Sequence, residues 1–250
     1  MRSLRDSRRV RVVSFSGVDG AGKSTQIERL CERLNERGMR IRLFRFWDDI
    51  ARLKKFREGA GHKLFKGDKG IGSPEAPINR RDKNVGGWPM TCFRYFLYLI
   101  DAISLRSALN RALLGDVDFI IFDRYTYDEL ANLDLTRPLT RIYVHMMMRF
   151  IPRPDISFVL DADPDAARAR KPEYPIEFVH MNRRAYMELN RLFGGFTIIA
   201  PMGIESAHRE VLKNSLRIVG QEDTARKNRR SASPEERVEM DVLRSGRAQL

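Results

Sequence analysis

The 250-residue chain is expected to fold as an α/β three-layer sandwich, a five-stranded parallel sheet flanked by helices. Three observations predict it. A glycine-rich phosphate-binding pattern stands between a strand and a helix near the start of the chain. Short apolar runs recur between longer stretches of helical periodicity, as in repeated β-α units. One of those runs ends in a carboxylate, where a parallel strand would bring it to the glycine loop.

The glycine pattern is Gly17-Val18-Asp19-Gly20-Ala21-Gly22-Lys23-Ser24, which fits G-x-x-x-x-G-K-[ST] at every position. Val10 to Phe15 before it reads as a buried strand. Thr25 to Glu36 after it reads as a helix with Ile27, Leu30, Cys31 and Leu34 on one face. That context separates a phosphate loop from an ordinary glycine turn. Gly17, Gly20, Ala21 and Gly22 let the backbone wrap a phosphate chain with its N–H groups pointing inward. The helix N-terminus adds partial positive charge. Lys23 is expected to reach the terminal phosphates and the Ser24 hydroxyl to hold Mg²⁺.

Arg37-Gly38 closes the first helix, and Met39 to Phe46 reads as an alternating second strand, so the crossover implies parallel pairing. Residues 47–90 carry seven glycines and three prolines. They read as a short helix near Asp49 to Arg57 followed by a long loop. Residues 91–114 form a helix with Phe93, Phe96, Leu97, Ile100, Ile103 and Leu109 at helical spacing. Its aromatic density reads as core packing.

Val117 to Phe122 is a third apolar strand, ending at Asp123-Arg124-Tyr125. A carboxylate there can organise Mg²⁺ beside the glycine loop, against the alternative of a plain turn residue. Arg124 would face the transferred phosphate, where a planar cation suits anionic oxygens. Residues 126–151 read as one helix, with Met146 to Met148 as filler packing. Ile156 to Leu160 is a fourth strand ending at Asp161. Asp163-Pro164-Asp165 starts a helix that stops before Pro172. A helix from Phe178 to Leu192, a fifth strand Phe196 to Ile199 and a last helix Ile204 to Val219 complete the pattern.

The expected division is a flexible basic arm over 1–9, one α/β domain over 10–220 and a mostly disordered charged tail over 221–250. A short helix from Ser233 fits a capping box. The chain is 42% hydrophobic and 32% charged, and no apolar run approaches the roughly 18 residues of a membrane span. No secretory signal is read at the N-terminus. Cys31 and Cys92 lie in apolar patterns and are expected to be buried thiols in a reducing compartment, so the cytoplasm is the expected location. The net charge is +13, and the first eleven residues hold five arginines against one aspartate. An arginine-rich arm and a phosphate site account for that charge. With no nucleic-acid-binding signature present, no specific nucleic-acid partner is expected.

In their order these motifs resemble the thymidylate kinase family of nucleoside monophosphate kinases, a group of P-loop NTPases. The resemblance rests on five stretches between residues 10 and 219: Gly17 to Gln26; Asp123-Arg124-Tyr125; Arg153 to Asp161 with Asp163-Pro164-Asp165; Ala167 to Arg170; and Phe178 to Leu189, where Arg183, Tyr186, Glu188 and Leu189 match. It implies ATP with Mg²⁺, phosphoryl transfer to a nucleoside monophosphate such as dTMP, and a homodimer. It implies donor-phosphate and metal roles for Lys23, Ser24 and Thr25, and an acceptor-sugar contact for Asp19. Arg124 would bridge the two phosphates with Tyr125 beside it on the acceptor side. Arg170 would pack on adenine, and Ala200 to Met202 would edge it.

Gly20 stands where some family members carry an arginine. The resemblance then assigns catalytic arginines to the lid side, and Arg183 is the residue expected to serve as transition-state cation. The lid itself, Lys171 to Glu177, holds one basic residue. Two departures bear on the acceptor. Arg45-Phe46-Trp47-Asp48-Asp49 replaces the family's Arg-Glu-Pro-Gly, leaving Arg45 as the candidate for the acceptor phosphate. The base-stacking position is Tyr98, and the base-reading arginine is replaced by Ala102. Losing such a donor costs about 1–3 kcal/mol, enough to redirect specificity. The acceptor therefore stays open between dTMP and another nucleotide, a nucleoside or a small metabolite. An ATP-binding regulator with negligible turnover is the reading from another class.

Overall fold

The computed structural model describes residues 9–51, 88–172 and 174–231. Most of the basic arm, the bulk of the glycine-rich stretch and the end of the tail, including the helix expected from Ser233, lie outside the described residues.

Five strands form one sheet: β1 (Arg11–Gly17), β2 (Ile41–Arg45), β3 (Phe119–Asp123), β4 (Ile156–Leu160) and β5 (Phe196–Ile199), in the order β2-β3-β1-β4-β5. Every pairing is parallel. β1 lies at the centre and is buried along its whole length, as a strand covered on both faces must be. The chain leaves β1 for the outer β2, returns through β3 to one side of β1, then places β4 on the other. The carboxyl end of β1 is thus a point where connections diverge, the place where α/β sheets bind ligands.

Alternation along the strands feeds two cores. Val13, Phe15, Phe119, Ile121, Ile156 and Phe158 pack with Ile27, Leu30 and Leu34 of α1 (Lys23–Glu36) and Ala207 and Val211 of the C-terminal helix. Val12, Phe44, Ile120, Phe122 and Val159 face the opposite layer. That layer is built from α2 (Trp88–Leu113), α3 (Thr126–Leu130), α4 (Pro138–Phe150) and α6 (Ile176–Phe193). α5 (Pro164–Arg170) follows β4, and α7 (Ile204–Ser231) ends the described chain. Aromatic pairs lock the register across strands: Phe15 meets Phe158 at 5.1 Å, and Phe44 stacks on Phe122 at 5.2 Å.

The structure departs from the sequence reading in four places. The helix expected over 126–151 is two helices. Asp134 turns inward on its own loop, accepting the Thr136 N–H at 3.1 Å, the Thr136 hydroxyl at 2.6 Å and Arg137 Nε at 3.0 Å. Pro138, which lacks an N–H, then opens α4. After β2 the chain makes an unforeseen π-helical turn over Phe46–Ile50, with Phe46 and Ile50 buried and Asp49 capping the Arg45 N–H at 2.7 Å, while most of the helix expected near Asp49 to Arg57 lies outside the described residues. The last helix runs through Ser231, past Val219 where periodicity suggested an end. Finally, Cys92 is exposed, and only Cys31 is partly enclosed. Among the described residues no helix is long and apolar enough to cross a membrane.

Candidate active site

The loop between β1 and α1 takes its shape from three glycines. Gly17 has φ +135°, and a Cβ there would fall 2.4 Å from the Leu160 carbonyl oxygen. Gly20 has φ +83°, and its Cβ would fall 2.2 Å from the Ala167 carbonyl oxygen of α5. Gly22, at φ +88°, is the left-handed residue from which α1 begins. The first helical bond returns from the Gln26 N–H to Gly22 O at 3.2 Å, so the N–H groups of the first turn are left for a ligand. That turn bears no carboxylate to oppose an anion.

Lys23 is buried and folded back into the loop, donating to Gly17 O at 2.8 Å and Val18 O at 2.9 Å. Burial, helped by the charge of Arg124, lowers its pKa to about 8, while Asp19, Asp128 and Asp123 act in the opposite sense. The Ser24 side chain is exposed at the head of α1, and Thr25 beside it is half-buried. Asp123 ends β3 half-buried, in register with Phe15 of β1 on one side and Arg45 of β2 on the other. A magnesium ion in a kinase takes one or two protein oxygens and completes its shell with phosphates and water. An exposed hydroxyl on the loop and a carboxylate at the neighbouring strand end suit that chemistry.

Arg124 has φ +68°, an uncommon conformation for a residue with a side chain. Its N–H is held by Phe15 O at 2.9 Å. The guanidinium pairs with Asp19 of the loop and reaches Asp128 at 3.5 Å. Burial opposes the charge on Arg124, but Asp19 and Asp128 outweigh it and raise the pKa. Tyr125 is fully buried. Its hydroxyl donates to Pro152 O at 2.6 Å and its ring packs on Phe122 and Tyr127, bracing the turn from within.

On the other side of the loop, Arg183 of α6 grips Asp161 with two bonds of 2.6 and 2.7 Å. These bonds raise the Arg183 pKa. Arg170 is exposed at the end of α5, its Nε on Ala166 O at 3.1 Å, and Ala200 and Met202 are exposed just beyond β5. Arg45 is exposed at the end of β2. Tyr98 and the fully buried Ala102 lie on the core-facing side of α2.

The fold thus brings Asp19, Asp123 and Arg124 within electrostatic reach of Lys23, with Arg183 fixed to the end of β4. Sequence reasoning missed Asp128, which collects Ser16, Tyr125, Tyr186 and Arg124 around one buried carboxylate. Its position four residues after Arg124 was the available signal, since that spacing pairs opposite charges on a helix. The pairing of Arg183 with Asp161 was missed too.

Fold and loop together define a nucleotide-phosphate-binding α/β protein of the P-loop type. No protein-family model matches the chain. It is similar to a probable thymidylate kinase of Methanosphaera stadtmanae, 24% identical over 208 residues covering 82% of this chain and 96% of that protein. A probable thymidylate kinase of Thermococcus kodakarensis is 27% identical over 219 residues, 84% of this chain and 99% of the relative. A thymidylate kinase of Chlorobaculum parvum is 27% identical over 168 residues, 64% of this chain and 65% of the relative. These relatives support the thymidylate kinase family, and with it a nucleoside monophosphate kinase.

Proposed function

We propose that the chain transfers the γ-phosphoryl group of ATP to a nucleoside monophosphate, with dTMP as acceptor, in a reaction that requires Mg²⁺. The observation that carries this reading is the gathering of charge around one loop. The Lys23 ammonium feels Arg124, Asp19, Asp128 and Asp123 together, beside an open helix N-terminus. Phosphoryl transfer asks proteins for position and charge neutralisation, which is what such a cluster supplies.

An oxygen of the acceptor phosphate attacks the γ-phosphorus, the bond to the β–γ bridging oxygen breaks, and ADP leaves with that electron pair. The loop of Gly17, Gly20, Ala21 and Gly22 wraps the donor phosphates, the N–H groups of the first turn of α1 point at them, and Thr25 supports them. Lys23 turns from the Gly17 and Val18 carbonyls to the β- and γ-oxygens. Mg²⁺ would be held by Asp123 and Ser24 and would neutralise charge on the phosphates. Arg124 bridges donor and acceptor phosphates, and Arg183 meets the charge that grows during transfer. Arg170, Ala200 and Met202 frame the adenine. Asp19, Arg45 and Tyr98 serve the acceptor side, while Tyr125, expected there from the sequence, is fully buried and instead braces the Arg124 turn from behind. We place the reaction in the cytoplasm. A homodimer is supported by the exposed Phe96 and Ile103 of α2 and Leu139, Ile142 and Met146 of α4.

One observation favours a second reading, the same transfer to a different acceptor. Ala102 offers no donor to a thymine carbonyl, and it is fully buried. The deciding experiment is ADP release from ATP and Mg²⁺ against dTMP, dUMP, the other nucleoside monophosphates and several nucleosides, with Lys23→Ala as the blank. Turnover that is fastest with dTMP sustains the first reading. Turnover that peaks with another acceptor sustains the second. ATP binding with no acceptor-dependent ADP release defeats both and leaves a nucleotide-binding regulator.

A further inference from the structure

Asp128 takes no part in the reaction just described, yet its side chain is 2% exposed and accepts from several donors. Oδ2 receives the Ser16 hydroxyl at 2.6 Å and the Tyr125 N–H at 3.0 Å. Oδ1 receives the Tyr186 hydroxyl at 2.9 Å and faces Arg124 Nη1 at 3.5 Å. A carboxylate this far from water persists only where such donors replace the water.

The donors come from three parts of the chain, and each part carries a piece of the site. Ser16 directly precedes the phosphate loop. Arg124 and Tyr125 form the left-handed turn after β3. Tyr186 lies on α6, three residues beyond Arg183, with its hydroxyl also 3.4 Å from Gly17 O.

Arg124 therefore sits between two unlike carboxylates. Asp19 rides on the loop and is half-buried, so a phosphate entering the loop competes with it for the guanidinium. Asp128 lies behind the arginine, walled off from any ligand. Its 3.5 Å separation leaves room to shorten when Asp19 lets go. Without Asp128, an arginine released by Asp19 would lose its counter-charge and its orientation at the moment phosphate arrives.

We infer that Asp128 is a positioning residue, holding Arg124 from behind while phosphate replaces Asp19 and tying that arginine, through Tyr186, to the helix that bears Arg183. The inference rests on the phosphoryl-transfer reading for its catalytic consequence. A purely structural Asp128 would only cap the turn before α3, and its loss would then lower stability without reaching Arg124.

The test compares wild type, Asp128→Asn, Tyr186→Phe and Arg124→Lys, with the double variant Asp128→Asn/Arg124→Lys. ADP release is followed with the best acceptor of the panel above. Asp128→Asn is expected to lower kcat by about 10²-fold and Tyr186→Phe by roughly threefold to tenfold, with KM for ATP within about twofold of wild type. In the Arg124→Lys background, Asp128→Asn should cost less than about threefold more, because the two act as one unit. Effects that multiply independently, or that fall on ATP binding alone, overturn the inference.

A second readout needs no turnover. The ¹⁵N guanidinium resonances of Arg124, assigned by their loss in Arg124→Lys, are recorded with and without inorganic pyrophosphate. Wild type should give resolved Nη signals in both states. Asp128→Asn, and more weakly Tyr186→Phe, should broaden them once pyrophosphate is present. Unchanged spectra in both variants overturn the inference. If wild type turns over no nucleoside monophosphate, the catalytic reading fails while the spectra still decide Asp128. Tyr186→Phe carries the test should Asp128→Asn fail to fold.

Discussion

Arg183 and Asp161 meet side-on, Nε and Nη2 to the two carboxylate oxygens at 2.6 and 2.7 Å, with the carboxylate 8% exposed and the arginine 40% exposed. An arginine held this way is aimed but engaged. To stabilise a transition state it must exchange some of this contact for phosphate oxygens. Arg183→Met should then lower kcat by about 10²- to 10³-fold, with KM for ATP changing less than about threefold. Arg183→Lys should recover little, since a point charge cannot reproduce the two-pronged contact. Steady-state kinetics on the three proteins decides it. A variant whose whole defect lies in KM would assign Arg183 to ground-state binding.

Lys23 is charged at a cost. Burial lowers its pKa from the model-peptide value of 10.5 to about 8, so the folded site disfavours the ammonium by roughly 3 kcal/mol. The sign of the linkage follows. Below pH 8 both folded and unfolded chains hold the proton, and the penalty is fully present. Between about pH 8 and 10.5 the folded chain releases a proton that the unfolded chain keeps, so this group's contribution to stability rises with pH across that window. An anion on the loop reverses the preference by favouring the ammonium. ATP binding at pH 9 should take up a proton that it does not take up at pH 7. Calorimetric titration in buffers of different ionisation heat measures this uptake, and equal uptake at both values would contradict the assignment.

The strands were legible because their burial is written into composition. Ile156–Leu160 and Phe196–Ile199 match the apolar runs read from the sequence, and Phe119–Asp123 is that run trimmed at its start. The phosphate loop was legible because its φ values require glycine at fixed spacing. The split between α3 and α4 was hidden because helical periodicity continues across it. What breaks the helix is the side chain of Asp134 bonding its own loop, a competition that periodicity does not register. The charge pairs were hidden for a different reason. Arg183 lies 22 residues from Asp161 and Arg124 lies 105 residues from Asp19, so only the folded sheet brings them together. Local pattern reports which residues are buried, and the partners of buried charge depend on topology.

Gly20 and Gly22 share a left-handed backbone but differ in surroundings. A Cβ on Gly22 meets nothing within 4 Å, whereas one on Gly20 falls 2.2 Å from Ala167 O and 2.9 Å from Ala167 C. Gly22→Ala should cost only the backbone strain, about 1–2 kcal/mol. Gly20→Ala must also push α5 away from the loop, and should cost at least about 1 kcal/mol more. The same contact explains why an arginine has no place at this position while α5 stays seated. Urea unfolding of the two variants tests the difference. Equal losses would mean that α5 moves freely with respect to the loop.

Asp19 pairs with the guanidinium of Arg124, with both side chains mostly shielded from water. Phosphate binding therefore includes the separation of an internal ion pair, which weakens apparent affinity. Asp19→Asn removes the competing charge and keeps the shape. The variant should bind inorganic pyrophosphate about threefold to tenfold more tightly than wild type, which corresponds to a gain of roughly 1 kcal/mol. It should also be less stable without ligand, because Arg124 then keeps Asp128 as its charged partner among the contacts described here and loses the loop. Catalysis should not improve with affinity, since the same carboxylate is assigned to the acceptor sugar. The measurement is the rise in Tm with pyrophosphate concentration for both proteins at fixed ionic strength. Weaker pyrophosphate binding in Asp19→Asn would show that Asp19 builds the anion site instead of competing for it.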